Sequence, residues 1–275
     1  MVVFPNAKIN LGLNILRKRE DGYHDIESVF YPIGWTDILE VLEYDDWRSG
    51  EETVIFHSSG IPISGNKSDN LISKAHQLLS QIIEIPPVKI RLHKTIPMGA
   101  GLGGGSSNAA FYINLLDEKF NLGLTESVKN NLLSQLGSDC VFFLKNEPLL
   151  ATGRGNIVQP IQLNLSGKKI AVVYPNLHST TATAYKKIIP STPDTPINEL
   201  INRPLQEWKL FLKNDFEKAL FPEMPKLKEW KMNMYDLGAE YASLTGSGSA
   251  VYGIFEKEIP DFTLNPGEKC WKGIL

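Results

Sequence analysis

Hydrophobic and polar residues alternate along the first segment of the chain with the period of a β-strand. Every odd position from Ile9 to Ile15 is aliphatic, whereas the even positions from Lys8 to Asn14 are polar or glycine. Because alternate side chains of a strand point to opposite faces, this segment is predicted to bury one face and to offer the other to polar partners. The side chains of Lys8 and Asn10 are therefore predicted to point the same way.

The rest of the chain predicts a mixture of strands and helices. Asp69-Asn70 predicts a helix start because apolar positions at helical spacing follow it, and Thr125 predicts a helix that ends at Gly137. Strands and helices do not alternate strictly, which favours an α+β fold. We place a boundary near residues 155–165, giving domains 1–158 and 159–275. The other predicted elements are strands through Phe30 after the turn Asp21-Gly22, at Ile38–Tyr44, Thr53–His57, Val88–Leu92, Cys140–Leu144, Ile157–Leu163, Lys169–Tyr174 and Ala250–Phe255, a helix at Ser106–Phe120, and three helical segments between Ile197 and Leu237.

Composition and charge exclude several classes of protein. The chain has 275 residues, 42% of them hydrophobic and 21% charged, which is typical of a globular protein. A net charge of −3 offers no basic field to a nucleic acid. No apolar stretch approaches the ~20 residues of a membrane helix, and Cys140 and Cys270 lie too far apart to suggest a zinc site or a disulfide scaffold. We expect a cytoplasmic protein that binds neither nucleic acid nor membrane.

A glycine-rich segment between a predicted strand and a predicted helix is the strongest candidate binding site. Five of the seven residues from Gly99 to Gly105 are glycine, and Ser106-Ser107-Asn108 follows. Glycine permits positive φ and close backbone approach, so successive N–H groups can face one anion. The helix N-terminus adds unpaired donors and the positive end of its dipole. We predict a phosphate-binding loop whose two serines cap the helix, and one of which contacts a phosphate or Mg²⁺.

Asp139 is the candidate general base. It follows Gly137 at a predicted helix end and directly precedes an apolar run. Phosphoryl transfer to an alcohol needs the hydroxyl to be aligned and its proton accepted, and a positioned carboxylate can do both. The residues alone leave a second interpretation open, in which Asp139 is only a turn or capping residue.

The glycine loop and two further segments resemble the motifs of the GHMP kinases, the family of galactokinase and of homoserine, mevalonate and phosphomevalonate kinases. Pro97–Ala110 resembles the ATP-phosphate motif, Pro5–Leu13 the first motif and Leu244–Val251 the third. Members that act on a cytidine diphosphate-linked methylerythritol resemble the chain further. Their hallmarks are found at Ala7–Leu11, Asp21–His24, Asp69–Leu71, Gly103–Gly105 and Gly137–Asp139.

The resemblance implies an α+β kinase with two domains. The N-terminal domain would be like the second domain of ribosomal protein S5, and the C-terminal domain would be ferredoxin-like. ATP would be the phosphate donor and Mg²⁺ is expected, although the sequence singles out no metal ligand. The acceptor would be the 2-hydroxyl of the cytidine diphosphate-linked methylerythritol, in non-mevalonate isoprenoid precursor biosynthesis. A monomer or weak homodimer is expected.

The resemblance also implies roles for single residues. Asp139 would accept or orient the hydroxyl, and Lys8 beside it would keep the carboxylate ionised. His24 would bond the edge of the cytosine, and Tyr23 and Tyr185 would stack on its faces. The implied ATP contacts are Pro97, Gly99, Gly101, Leu102, Gly103, Gly104, Gly105, Ser106, Ser107, Asn108, Lys94 and Asn70, and the other implied substrate contacts are Asn10, Thr181, Gly246, Ser247 and Gly248.

Three alternatives stay open. The chain could be another kinase of the same family, acting on homoserine, mevalonate or a sugar. It could be a non-catalytic nucleotide-binding protein of this fold, against which the presence of Lys8 and Asp139 argues. It could also be a scaffold whose glycine turn binds nothing, in which case ATP would cause no thermal shift.

Overall fold

The computed structural model describes residues 1–63, 65–178 and 180–275, and the chain divides into two compact units. The predicted division into domains 1–158 and 159–275 stays a prediction. In the described ranges, every helix is too short or too polar to cross a lipid bilayer. The first unit comprises Met1–Ala7, Trp35–Met98 and Gly103–Asn146, and the second comprises Lys8–Gly34, Gly99–Leu102 and Glu147–Leu275.

Strands and helices are mixed along the chain. The strands are β1 (Val2–Val3), β2 (Asn6–Lys18), β3 (His24–Thr36), β4 (Ile38–Glu43), β5 (Val54–Gly60), β6 (Val88–Lys94), β7 (Leu149–Thr152), β8 (Ile157–Pro160), β9 (Lys169–Tyr174), β10 (Tyr241–Leu244), β11 (Val251–Phe255) and β12 (Lys269–Ile274). The α-helices are α1 (Leu71–Ser80), α2 (Gly104–Phe120), α3 (Glu126–Leu136), α4 (Phe142–Lys145), α5 (Thr181–Tyr185), α6 (Ile197–Leu200), α7 (Trp208–Phe211), α8 (Phe216–Leu220) and α9 (Pro225–Asp236), and short 3-10 helices lie at Lys67–Asp69 and Leu205–Glu207.

The first unit is a sheet with helices α1 to α4. The sheet order is β1-β4-β6-β5, with β4 antiparallel to β6 and β5 parallel to it. Every second residue of β6 is buried, as the alternation at Val88–Leu92 predicts. Asn70 caps α1 by accepting a hydrogen bond from Ile72 N at 2.8 Å, and Thr125 caps α3 in the same way. The capping residues read from the sequence therefore begin both helices.

The second unit contains two antiparallel sheets. Strands β2, β3, β7 and β8 form one, in that order, and β10, β11, β9 and β12 form the other. The second sheet has the strand order of a ferredoxin-like fold, in which a helical crossover joins its first two strands. Residues 256–268, all of which the structure describes, contain no helix, so the second crossover helix is replaced by a loop. The segment after Pro260, which had no predicted element, ends in the edge strand β12.

Three local predictions were wrong. Cys140–Leu144 is not a strand, because Phe142–Lys145 forms α4, which ends at Asn146 in the left-handed conformation. A short apolar run suits a buried helix as well as a strand, so periodicity could not decide. Residues 197–237 contain α6, α7, α8 and α9 rather than three helical segments. Neither serine of the loop caps α2, because the helix begins at Gly104 and its N-cap is Gly103.

Candidate active site

The glycine loop is fixed to the second unit through its carbonyl groups. Ala100 O accepts a hydrogen bond from Ala250 N at 3.1 Å, and Leu102 O accepts one from Lys8 N at 3.0 Å. Both bonds lie within the second unit, to which Gly99–Leu102 belongs. The backbone of the loop is thus anchored on the same side that carries the first strand motif.

Close packing explains why glycine is required at position 101. A Cβ on Gly101 would lie 1.9 Å from Thr245 O, and φ at Gly101 is +76°. The carbonyl of Gly101 also accepts a hydrogen bond from Thr245 Oγ1 at 3.1 Å. A side chain would therefore collide with backbone and would be strained by the left-handed φ.

The N–H groups of the loop, in contrast, have no acceptor in the described part of the protein. Within the part of the chain that the structure describes, no N–H group from Gly99 to Gly105 donates to a protein acceptor. Unpaired donors are normal in the first turn of a helix, but here they continue upstream of α2. Gly99, Gly101 and Gly103 all have left-handed φ, and alternation of such residues turns backbone N–H groups toward an anion. Bound carbonyls and unpaired N–H groups are the arrangement that a phosphate needs.

The first turn of α2 carries further polar groups. Ser107 Oγ is buried and has no hydrogen-bond partner among the described residues. The Ser106 side chain hydrogen-bonds the Cys140 thiol, whose pKa burial raises to about 12. The charge of the adjacent Asp139 raises that pKa further. Asp139, which is half-buried, therefore lies in a turn that contacts the beginning of α2, within the first unit.

Lys94 and Asn108, both predicted to contact ATP, are held by a buried carboxylate. Lys94 Nζ pairs with Asp37 Oδ2 at 2.5 Å, and the two side chains are 2% and 0% exposed. Asn108 Nδ2 donates to the same oxygen at 2.9 Å. Asp37 Oδ1 accepts from the backbone N–H groups of Thr95 (2.7 Å) and Ile96 (2.9 Å). The two predicted ATP contacts stay predictions, and the structure gives each side chain an internal partner.

The Lys94 ammonium also lies beside the helix N-terminus. A Cβ on Gly104 would be 2.9 Å from Lys94 Nζ. Burial lowers the pKa of Lys94, and the nearby charge and hydrogen bond of Asp37 oppose that shift. The lysine thus adds positive potential at the start of α2, although its ammonium is already paired.

Lys8 and Asn10 lie together, as the strand alternation predicts. Lys8 Nζ donates to Asn10 Oδ1 at 2.5 Å, is 2% exposed and lies 4.8 Å from the centroid of the Phe30 ring. Asn10 Oδ1, at 3.2 Å, shares the single hydroxyl proton of Thr245 with Gly101 O. Asn10 Nδ2 donates to Ser28 Oγ at 2.9 Å. Since an amide oxygen has two lone pairs, only the second N–H of the Asn10 amide is left among these contacts for a substrate.

In the third motif, the predicted substrate residue Ser247 contacts another predicted substrate residue, Thr181. Ser247 Oγ and Thr181 Oγ1 are 3.0 Å apart. Gly246 has φ +53° and packs against Gly101, whose Cα would be 3.1 Å from a Cβ at position 246. Gly248, with φ +83°, completes the turn. Gly101 of the loop, this turn and Thr181 therefore lie together within the second unit.

Two of the three aromatic residues predicted to bind cytosine are stacked on each other. The rings of His24 and Tyr185 stack with centroids 4.7 Å apart and planes inclined by 17°, and Tyr185 meets Phe216 edge-on. Partial burial lowers the pKa of His24, and the charge of Lys18 lowers it further. Tyr23 is 55% exposed. At this spacing no base fits between the rings of His24 and Tyr185. The binding of a cytosine between Tyr23 and Tyr185 stays a prediction.

Two residues predicted to contact ATP, Asn70 and Pro97, have structural roles. The Asn70 side chain caps α1 through its oxygen, and its predicted contact with adenosine stays a prediction. Pro97 is buried directly before the loop.

The sequence reasoning missed three residues at this site. Asp37 was missed because an aspartate between two strands is a common turn residue. Thr245 opens the third motif and holds both the loop and Asn10. His178 packs against Gly99, where a Cβ would lie 2.6 Å from its ring, and no local pattern pointed to it.

The fold and the loop together define the class of protein. A loop whose N–H groups have no acceptor in the described ranges leads into a helix N-terminus, beside which the buried ammonium of Lys94 lies. These are the features of an enzyme that handles phosphate groups.

Comparisons with known proteins identify the family. The family model described as GHMP kinases N terminal domain matches residues 70–146, and that described as GHMP kinases C terminal matches residues 197–264. The chain belongs to the GHMP kinase family.

Curated relatives and solved structures match along most of the chain. The 4-diphosphocytidyl-2-C-methyl-D-erythritol kinase of Bacteroides fragilis is 48% identical over 94% of this chain and 93% of its own length. The relative of the same name in Bacteroides thetaiotaomicron is 46% identical over 100% of both chains. A crystal structure of 4-(cytidine 5'-diphospho)-2C-methyl-D-erythritol kinase has a TM-score of 0.76 at 31% identity, covering 93% of this chain and 90% of that one. The Methanococcus jannaschii mevalonate kinase, at 15% identity and a TM-score of 0.71, covering 100% of this chain and 98% of that one, shares the fold.

Proposed function

We propose that this GHMP kinase transfers the γ-phosphate of ATP to the 2-hydroxyl of 4-diphosphocytidyl-2-C-methyl-D-erythritol, an isoprenoid precursor. The observation that carries the proposal is the glycine loop: the carbonyls of Ala100, Gly101 and Leu102 accept hydrogen bonds, whereas the N–H groups from Gly99 to Gly105 have no protein acceptor among the described residues. Relatives at 43–48% identity bear the name of that kinase, which supports the choice of acceptor. We expect the enzyme to work in the cytoplasm as a monomer or weak homodimer.

The loop amides would hold the β- and γ-phosphates of ATP. Their geometry is set in advance by the carbonyl bonds of Ala100, Gly101 and Leu102. Donors fixed before the reaction need not reorganise as charge moves between the phosphate oxygens, and this lowers the barrier. The buried hydroxyl of Ser107 would face a phosphate or Mg²⁺ at this cradle, because its oxygen has no hydrogen-bond partner in residues 1–63, 65–178 and 180–275.

Asp139 would accept the proton of the acceptor hydroxyl, or orient it, and Lys8 would keep that carboxylate ionised. Within the second unit, Lys8 N donates to Leu102 O of the loop. Within the first unit, Asp139 adjoins Cys140, whose thiol is hydrogen-bonded by the Ser106 side chain. A nearby ammonium favours the charged form of a carboxylate. Asn10 would steady the Lys8 ammonium through the 2.5 Å bond to its Oδ1.

Residues of the first turn of α2 fit the Mg²⁺ that a kinase of this class uses. No group of three or more metal-binding side chains is found among the described residues. Mg²⁺ commonly keeps several waters and needs only one or two protein oxygens besides the phosphates. Ser107 Oγ, which has no hydrogen-bond partner among the described residues, would supply one of these oxygens. Bound there, the ion would neutralise charge on the phosphates.

His24, Tyr23 and Tyr185 would recognise the cytidine. An aromatic face stacks on a pyrimidine, and an imidazole can bond its polar edge. Partial burial and the charge of Lys18 lower the pKa of His24, which favours the neutral imidazole, and that form offers one donor and one acceptor. Thr181 and Ser247, whose hydroxyls are 3.0 Å apart, would contact the sugar or the diphosphate.

A coupled ADP assay tests the proposal. Purified protein is mixed with ATP, Mg²⁺ and either 4-diphosphocytidyl-2-C-methyl-D-erythritol, homoserine, mevalonate or galactose. We expect ADP release with the cytidine compound and a product phosphorylated at the 2-hydroxyl by ³¹P NMR. Release with homoserine, mevalonate or galactose instead would replace the proposed acceptor, and no release with any acceptor would overturn the proposal.

A further inference from the structure

Arg154 is held in a fixed place by the turn between β7 and β8. It lies between Gly153 and Gly155, whose φ values are +62° and +95°. Gly153 O accepts a hydrogen bond from Ile26 N of β3 at 2.7 Å, and the N–H of Arg154 donates to Asn156 Oδ1 at 3.2 Å. Two left-handed glycines and a bond to the neighbouring strand therefore define where the arginine side chain starts.

The guanidinium of Arg154 covers one face of Tyr23. Its Cζ lies 4.6 Å from the centroid of the Tyr23 ring, a distance typical of a cation–π contact. The backbone beside this ring is also fixed, because Tyr23 N donates to Asp21 Oδ1 at 3.1 Å and Arg19 forms an ion pair with the Asp21 carboxylate. Burial raises the pKa of Asp21, but the hydrogen bond from Tyr23 N, the ion pair with Arg19 and the charge of Arg154 outweigh it and leave that pKa lowered.

The contact with Arg154 fixes the orientation of the Tyr23 ring at the exposed tip of the β2–β3 hairpin. Tyr23 is 55% exposed, so its ring has few packing neighbours to fix its orientation. A planar, permanently charged guanidinium stacks on aromatic faces better than an ammonium does. With one face covered by Arg154, the Tyr23 ring is left with its opposite face for a ligand.

We propose that Arg154 is a positioning residue for cytosine recognition, acting through Tyr23. The arginine, the tyrosine and the bound base would form three stacked layers, with Tyr23 in the middle. The proposal rests on the proposed function, because Tyr23 is there assigned to the cytosine. It adds a specificity-determining residue that lies outside the motifs on which the family resemblance depends.

Steady-state kinetics of Arg154→Ala, Arg154→Lys and a matched control test the proposal. Arg203 is the control, because its Cζ lies 4.2 Å from the Phe211 ring, so Arg203→Ala removes the same charge and the same type of contact elsewhere in the second unit. For Arg154→Ala we expect the KM of the cytidine substrate to rise about two- to fivefold, as an exposed cation–π contact predicts. The KM of ATP and kcat should stay within error of wild type, Arg154→Lys should recover part of the loss, and Arg203→Ala should change neither KM.

A competition series separates stacking from a direct contact with phosphate. Inhibition by cytidine, CMP and CDP is measured for wild type, Arg154→Ala, Tyr23→Leu and the double variant. If Arg154 acts through Tyr23, Arg154→Ala weakens all three inhibitors by the same factor and adds nothing to Tyr23→Leu. A loss that grows with the number of phosphates, or one that adds fully to that of Tyr23→Leu, would overturn the proposal. An unchanged KM in Arg154→Ala would overturn it too, while a wild-type enzyme that does not turn over the cytidine substrate would overturn the proposed function instead.

Discussion

Two groups of backbone N–H donors lie only a few residues apart, and only one of them has an acceptor. Thr95 and Ile96 donate to Asp37, whose carboxylate also accepts from Lys94 and Asn108. The N–H groups from Gly99 to Gly105 have no such partner among the described residues. The first group contains its own anion, whereas the second lacks one.

The difference shows which part of this region is scaffold and which is site. Unpaired polar groups are costly when buried, and proteins satisfy nearly all of them. The Asp37 cluster follows that rule and ties β6 to α2. The glycine loop departs from it where a phosphate would supply the missing acceptor.

Of the substitutions considered, Asp139→Asn should have the largest effect on catalysis. It removes the proposed general base and leaves the anion-binding loop unchanged. General-base assistance is worth about 10²–10⁴ in rate, so Asp139→Asn should lower kcat by about that factor. ATP affinity, measured by calorimetry, should change less than about twofold, since an asparagine adds no group that competes with the loop. An unchanged kcat would remove Asp139 from the mechanism.

Replacing Asp37 should disturb the satisfied cluster most strongly. Asp37→Asn would leave the buried ammonium of Lys94 without its counter-charge, and breaking a buried ion pair in this way costs about 3–5 kcal/mol. Urea unfolding measures the loss. Glu40→Gln is the matched control, because Glu40 pairs with the exposed Arg91 at 3.2 Å, and such pairs contribute at most about 1 kcal/mol. Equal losses in the two variants would contradict the special role of Asp37.

The sequence predicted the Thr125 helix cap and the alternation of β6 correctly, because both follow from neighbouring residues. The phosphate-binding role of the glycine loop stays a prediction. The partners of Lys94 and Asn108 could not be read in that way, because Asp37 is distant in sequence and meets them only after β6 and α2 pack. Periodicity also could not separate helix from strand in the short run before Asn146.

Gly101→Ala tests whether ATP binding depends on the backbone geometry of the glycine loop. The substitution places a Cβ 1.9 Å from Thr245 O at a φ of +76°, and the left-handed conformation alone costs roughly 1–2 kcal/mol. The loop must shift, so the KM of ATP should rise by about tenfold, equivalent to about 1.4 kcal/mol. Gly123→Ala is the control, since Gly123 has φ +67° with nothing within 4 Å of its Cβ position. It should lose a little stability and keep the KM of ATP; a parallel rise in its KM would contradict the explanation.

A smaller effect, on how the free energy of unfolding depends on pH, is expected at a hydrogen bond between α1 and α2. His76 Nδ1 lies 2.8 Å from the hydroxyl of Tyr112, and burial lowers the pKa of His76 from its usual value of 6.5. Between that value and the lower folded-state pKa, the unfolded chain binds more protons than the folded one, so the free energy of unfolding falls as the pH falls through this window. Comparing urea unfolding at pH 7.5 and pH 5.5, His76→Gln should lose less stability than wild type. Equal losses would show that His76 does not contribute.

The most direct test of the central claim observes the loop amides themselves. In protein labelled with ¹⁵N-glycine, a non-hydrolysable ATP analogue with Mg²⁺ is titrated while the amide resonances are recorded. The account predicts large downfield shifts for Gly101, Gly103 and Gly104, and none for Gly22 or Gly123, which have no neighbouring atoms at their Cβ positions. Saturable binding that leaves the loop resonances unmoved would contradict it.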